Sequence, residues 1–159
     1  MARKVFFSFH FDRDSRRVAQ VRNAHVIGYY NKPPFLSAAD WETVKRKGDA
    51  AIKKWIDDNL FGSSVTIVLI GAQTYTRPWV KYEIEESSKR GNGLLGISLH
   101  NINDPLSGRD SPGQNPFANL RDNQNILLSS KVPIYDWINN SGRDNIGIWI
   151  ENAAKQVGK

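Results

Sequence analysis

Trp79 and Glu83 stand four residues apart, one helical turn, just after the hydrophobic run Val65-Thr-Ile-Val-Leu-Ile70. An indole and a carboxylate at that spacing share one helix face. If the run is a strand and the helix follows it, both side chains lie beside the carboxyl ends of the strands. Open α/β sheets bind their ligands there. An acid among aromatic walls at such a place suits a ligand with a flat ring, so Glu83 is a candidate for chemistry. It is also consistent with a solvated helix carboxylate like Glu85 and Glu86, and Trp79 with a core residue. Other residues gather at the same end of the sheet: Ser8-Phe9-His10 closes the first strand, Asp40-Trp41-Glu42 opens the second helix, and Tyr75 lies in the segment Gln73–Trp79.

The elements that must position these residues alternate strand and helix. Val5–Phe9 is apolar and short. Asp12–Ile27 spaces Val18, Val21 and Val26 among charges and reads as a helix. Asn31–Ala39, with Pro33-Pro34, reads as a loop with room for a short strand near Phe35. Asp40 is a good N-cap for a helix reaching Leu60. Val65–Ile70 is β-branched, unalternating and closed by Gly71, the pattern of a strand buried on both faces. Pro78 fits the first turn of a helix ended by Gly91. Gly93–Leu99 and Val132–Trp137 read as further strands and Arg143–Gln156 as a closing helix. The expected fold is a doubly wound, flavodoxin-like α/β sandwich, a parallel sheet of about five strands covered by helices on both faces. Residues 1–159 read as a single domain. Its one long polar loop, about 101–125, is of a length usually tied to function, such as a lid over a site.

Composition narrows the function classes. No apolar run approaches the ~20 residues of a membrane helix, and the apolar stretch after Arg3-Lys4 is too short for a signal-peptide core. There is no cysteine, which excludes disulfides and thiolate metal sites and suggests the cytoplasm. The net charge of +6 is scattered along the chain. Without a finger, KH or RRM signature it reads as a solvated surface, with nucleic acid not the expected partner and a small anionic ligand a better one. Gly91-Asn-Gly93 precedes a strand and so is no dinucleotide fingerprint. His10, His25 and His100 lack metal-ligand spacing, so no metal is expected. No hydrolase triad is suggested.

Taken in order, Val5-Phe-Phe-Ser-Phe-His10, Asp40-Trp-Glu42, Ser64-Val-Thr-Ile-Val-Leu-Ile-Gly-Ala-Gln-Thr74, Trp79-Val-Lys-Tyr-Glu-Ile84 and Asn115-Pro-Phe117 resemble the TIR domain family, and within it the bacterial TIR-like proteins of the Thoeris anti-phage system. The resemblance implies an enzyme that cleaves the nicotinamide–ribose bond of NAD, with Glu83 as the catalytic glutamate. NAD is then a substrate and no further cofactor is needed. Ser8, Phe9, His10, Asp40, Trp41, Tyr75 and Trp79 are the implied substrate contacts. His10 stands where eukaryotic relatives often carry a basic residue. The implied product is a cyclic or related ADP-ribose signal that activates a separate effector after a phage-derived trigger, with self-association open. Two alternatives remain: a non-catalytic TIR interaction module, and a glycosidase resembling the nucleoside deoxyribosyltransferases.

Overall fold

The computed structural model describes residues 3–33 and 38–159, with the backbone alone described for 38–40. Four parallel strands form the sheet in the order β1 (Val5–Ser8), β2 (Val65–Ile70), β3 (Gly93–Ser98) and β4 (Ile134–Asp136). Among the described residues five α-helices surround it: α1 (Phe11–Arg22), α2 (Ala38–Arg46), α3 (Asp49–Leu60), α4 (Pro78–Lys89) and α5 (Gly142–Gln156). Every residue of β2 is buried, which is why its sequence shows no alternation: both faces of a central parallel strand are covered.

The two faces carry different helices. Val18 and Val21 of α1 and Ile146, Trp149 and Ile150 of α5 pack with Val5, Ile67, Leu95 and Ile97 on one side. On the other, Ile52, Ile56 and Leu60 of α3 pack with Phe6. Val80 and Ile84 of α4, with Phe117 from the long loop, pack with Val68 and Ile70. The α/β sandwich with helices on both faces is therefore as expected, but the sheet has four strands among the described residues, not five. On the outer side of β1 there is one parallel bridge, Asn31 to Lys4. The Phe35 strand falls outside the described residues.

Two expected helices are divided. The helix anticipated from Asp40 to Leu60 is a pair, α2 and α3, turned at Gly48, whose φ of +93° favours glycine. The one anticipated to Ile27 ends at Arg22, and a 3₁₀ turn over His25–Tyr29 buries Ile27 against the α1–α5 face.

The long loop is anchored by a row of arginines on α1. Arg16 Nε donates to Asp104 at 2.7 Å; Arg17 donates to the carbonyls of Ile102 at 3.1 Å and Gly108 at 2.7 Å. Arg13 pairs with Asp110. Further along, Gly113 lies on the end of β2, where a Cβ would come within 2.0 Å of the Gly71 carbonyl oxygen. Gly71 itself donates its N–H to Thr74 Oγ1 at 2.8 Å. The loop thus braces the turn that launches α4, the helix carrying Glu83.

Candidate active site

Proline opens α4 at its first turn, where a missing N–H breaks no helical bond. The face turned to the sheet carries Val80, Glu83, Ile84 and Ser87, so a carboxylate and a hydroxyl sit in an otherwise apolar stripe. Both are answered from the strands. The Ser8 hydroxyl, at the end of β1, donates to Glu83 Oε1 at 2.8 Å. One turn on, the Ser87 and Thr66 hydroxyls share a hydrogen bond at 2.7 Å. These two links fix the register of α4 on the sheet.

Glu83 is only 7% exposed. Burial disfavours its charged form and pushes its pKa up to about 8, against the opposing pull of the Ser8 hydroxyl. Glu83 lines a cleft that encloses only about 60 Å³ and whose walls include Phe9, Phe11, Trp41, Trp55 and Trp79. The cleft continues along β1 to Phe7, Pro33 and Arg22. The rings support one another. Phe9 stacks on Phe11 at 5.6 Å, Phe11 meets Trp41 at 5.4 Å, and Trp41 meets Trp55 edge-on at 6.2 Å. Trp79 is held edge-on by Tyr82 at 5.7 Å, and the Tyr82 hydroxyl donates to Asp57 at 2.7 Å. The lining is apolar and aromatic, with one carboxyl among the rings.

The residues singled out from sequence divide here. Glu83, Phe9, Trp41 and Trp79 meet in the cleft. Ser8 reaches it only through Glu83. His10 caps α1 and is not in the cleft wall; burial and the Arg77 cation hold its imidazole below the ordinary 6.5. Its Nδ1 is buried without a hydrogen-bond partner among the described residues. Tyr75 is 44% exposed on a 3₁₀ turn and also lies outside the cleft wall. The Asp40 side chain falls outside the described residues. Phe11 and Trp55 were not singled out as site residues. Phe11 extends the row Phe7, Phe9, Phe11 past the strand end, a signal present in the sequence. Trp55 meets Trp41 only because the chain turns at Gly48. Among the described residues no three His, Asp or Glu side chains converge to hold a metal, and no helix is long and apolar enough to cross a membrane.

A four-stranded parallel sheet with a buried glutamate on the helix after its second strand fits a TIR-like α/β domain. Residues 6–104 match the family described as Thoeris protein ThsB, TIR-like domain, and the chain belongs to that family. The match takes in Ser8, Trp41, Trp79 and Glu83. A protein of Bacillus cereus (strain MSX-D12) named "Putative cyclic ADP-D-ribose synthase ThsB1" is 39% identical over 140 residues, 86% of this chain and 72% of the relative.

Proposed function

We propose that this chain cleaves the nicotinamide–ribose bond of NAD and releases an ADP-ribose product, cyclic in the form named for its relative. The observation that carries this reading is Glu83 itself: a buried carboxyl, one hydrogen bond from Ser8, in an aromatic cleft. In NAD the nicotinamide is a pyridinium cation and leaves as a neutral base, taking the electron pair of the C1′–N bond. No general acid has to protonate it, so the second carboxylate of ordinary glycosidases is dispensable. What the protein supplies is a fixed negative charge beside the ribose hydroxyls, which stabilises the cationic centre developing at C1′. The aromatic walls hold the pyridine ring and exclude water, which favours capture of C1′ by a nucleophile of the same molecule over hydrolysis.

The cationic ring also solves a problem of charge. Burial pushes the Glu83 carboxyl up to about 8, so at neutral pH its protonated form is favoured, with the Ser8 hydroxyl opposing that only in part. A pyridinium arriving beside it favours the carboxylate, so substrate binding itself brings Glu83 toward its working form.

The cyclic product fits a diffusible signal made after phage infection and read by a separate effector. The test is to incubate the purified protein with NAD, with and without extract of phage-infected cells, and to measure nicotinamide and the mass of the nucleotide formed. Nicotinamide in step with an ADP-ribose species is the expected result. No nicotinamide under any condition, or cleavage of free nucleosides with NAD untouched, would overturn the proposal.

A further inference from the structure

We infer that Ser8 is a positioning residue for Glu83 and no substrate ligand: its hydroxyl takes Oε1, which fixes the carboxyl plane and leaves Oε2 for the ribose hydroxyls. The inference rests on the reading of Glu83 given above. Alternation along β1 puts Ser8 on the same face as Phe6, the face covered by α3 and α4. Ser8 is fully buried and takes no part in the cleft wall, so a bound molecule meets Glu83 and not Ser8. The Thr66–Ser87 hydrogen bond one turn along α4 already fixes the helix against the sheet. What is left to Glu83 is rotation of its own side chain, and the 2.8 Å bond from Ser8 removes it.

A carboxylate buried among rings has few ways to be stabilised, and each donor counts. Several described groups lie around Glu83, the rings of Phe9 and Trp79 among them. From β1 comes the Ser8 hydroxyl. From α1, α2 and α3 come the rings of Phe11, Trp41 and Trp55, and Arg22 of α1 shares the cleft. No other carboxylate is in the cleft wall among the described residues. The Ser8 hydroxyl favours the ionised form of Glu83 against burial. Removing it therefore does two things: the carboxyl turns more freely, and it ionises at higher pH.

The experiment is the pH profile of kcat/KM for nicotinamide release from NAD, in the wild type, Ser8→Ala and Ser8→Thr. Alongside it, the Glu83 carboxyl is titrated by carbon-13 NMR in the resting protein. For Ser8→Ala we expect about a tenfold loss at pH 7 that shrinks above pH 9, with the midpoint moved up by about one pH unit. Ser8→Thr keeps the hydroxyl on a β-branched carbon suited to a strand and restores the wild-type profile. Activity that Ser8→Ala leaves unchanged at every pH would overturn the inference. So would a Glu83 titration that Ser8→Ala leaves in place. The NMR arm needs no turnover: if the wild type releases no nicotinamide, the proposed reaction fails and the titration alone decides on Ser8.

Discussion

Glu83 and Asp104 are both buried carboxyls, 7% and 3% exposed, yet their surroundings drive them in opposite directions. Asp104 accepts from Arg16 and from the backbone N–H groups of Leu106 and Ser107. Those donors hold it down at about 2, while Glu83, with rings around it and one hydroxyl, is pushed up to about 8. The difference lies first in depth, since Glu83 sits deep among rings where burial disfavours its charge, and then in donors, since Asp104 lies nearer the surface with Arg16 and two backbone N–H groups on it. A carboxylate held by three donors ties a loop together. One kept short of donors stores the cost of its own ionisation, which in the proposed reaction a cationic substrate relieves.

Exchanging each acid for its amide separates the two roles most widely. Glu83→Gln is expected to lower nicotinamide release by about a thousandfold or more, and Asp104→Asn to leave it within about threefold, both read by nicotinamide assay on folded protein. The second contrast is in stability. The folded-state pKa of Glu83 lies above its ordinary 4.5, so folding takes up a proton between about pH 4.5 and 8 and stability falls as pH rises across that window. The amide of the Glu83→Gln variant has no such proton to lose. That variant should therefore melt higher than the wild type, by a margin growing up to about 1.4 kcal/mol per pH unit between pH 5 and 8. A margin that does not grow with pH would place Glu83 in a more solvated setting.

Asp104 has the opposite sign. Its folded-state pKa is depressed from 3.8 to about 2, so its contribution is present above about pH 4 and lost as pH falls toward 2. Asp104→Asn should lower the melting temperature by several degrees at pH 7, with the gap narrowing on acidification. Proteolysis within residues 102–110 should rise with it. The smallest contrast is between two aromatics on the β2–α4 segment. Trp79→Ala removes a wall of the cleft and should cost about tenfold in kcat/KM. Tyr75→Ala touches no wall and should stay within about twofold.

Much of this was readable from the chain, and the exceptions have physical causes. Val65–Ile70 declared a doubly covered strand through its unbroken apolar run, and Pro78 and Gly91 bracketed α4. The i,i+4 spacing of Trp79 and Glu83 reads only as one shared helix face; the fold is what brings both to the cleft wall. The α2–α3 corner was missed because Lys47-Gly48 interrupts an otherwise helical pattern by a single glycine, and a glycine inside a helix is ordinary until its φ is known. The meeting of Trp41 and Trp55 was hidden for the same reason. Ser8 was legible as a strand end but not as a partner of Glu83, since that contact spans 75 positions in the chain. The anchoring of the long loop was hidden too. Arg13, Arg16 and Arg17 read as scattered surface charge, and only the fold sets Asp104 and Asp110 beside them.

The central claim is that one donor-poor carboxyl must ionise for the reaction to proceed. It is tested most directly by the pH dependence of kcat/KM for nicotinamide release, which reports the free enzyme. The expected profile is a tenfold rise per pH unit below a midpoint near 8 and a plateau above it, with the kcat midpoint at lower pH because the bound pyridinium favours the carboxylate. A kcat/KM that is flat from pH 5 to 9 would contradict it.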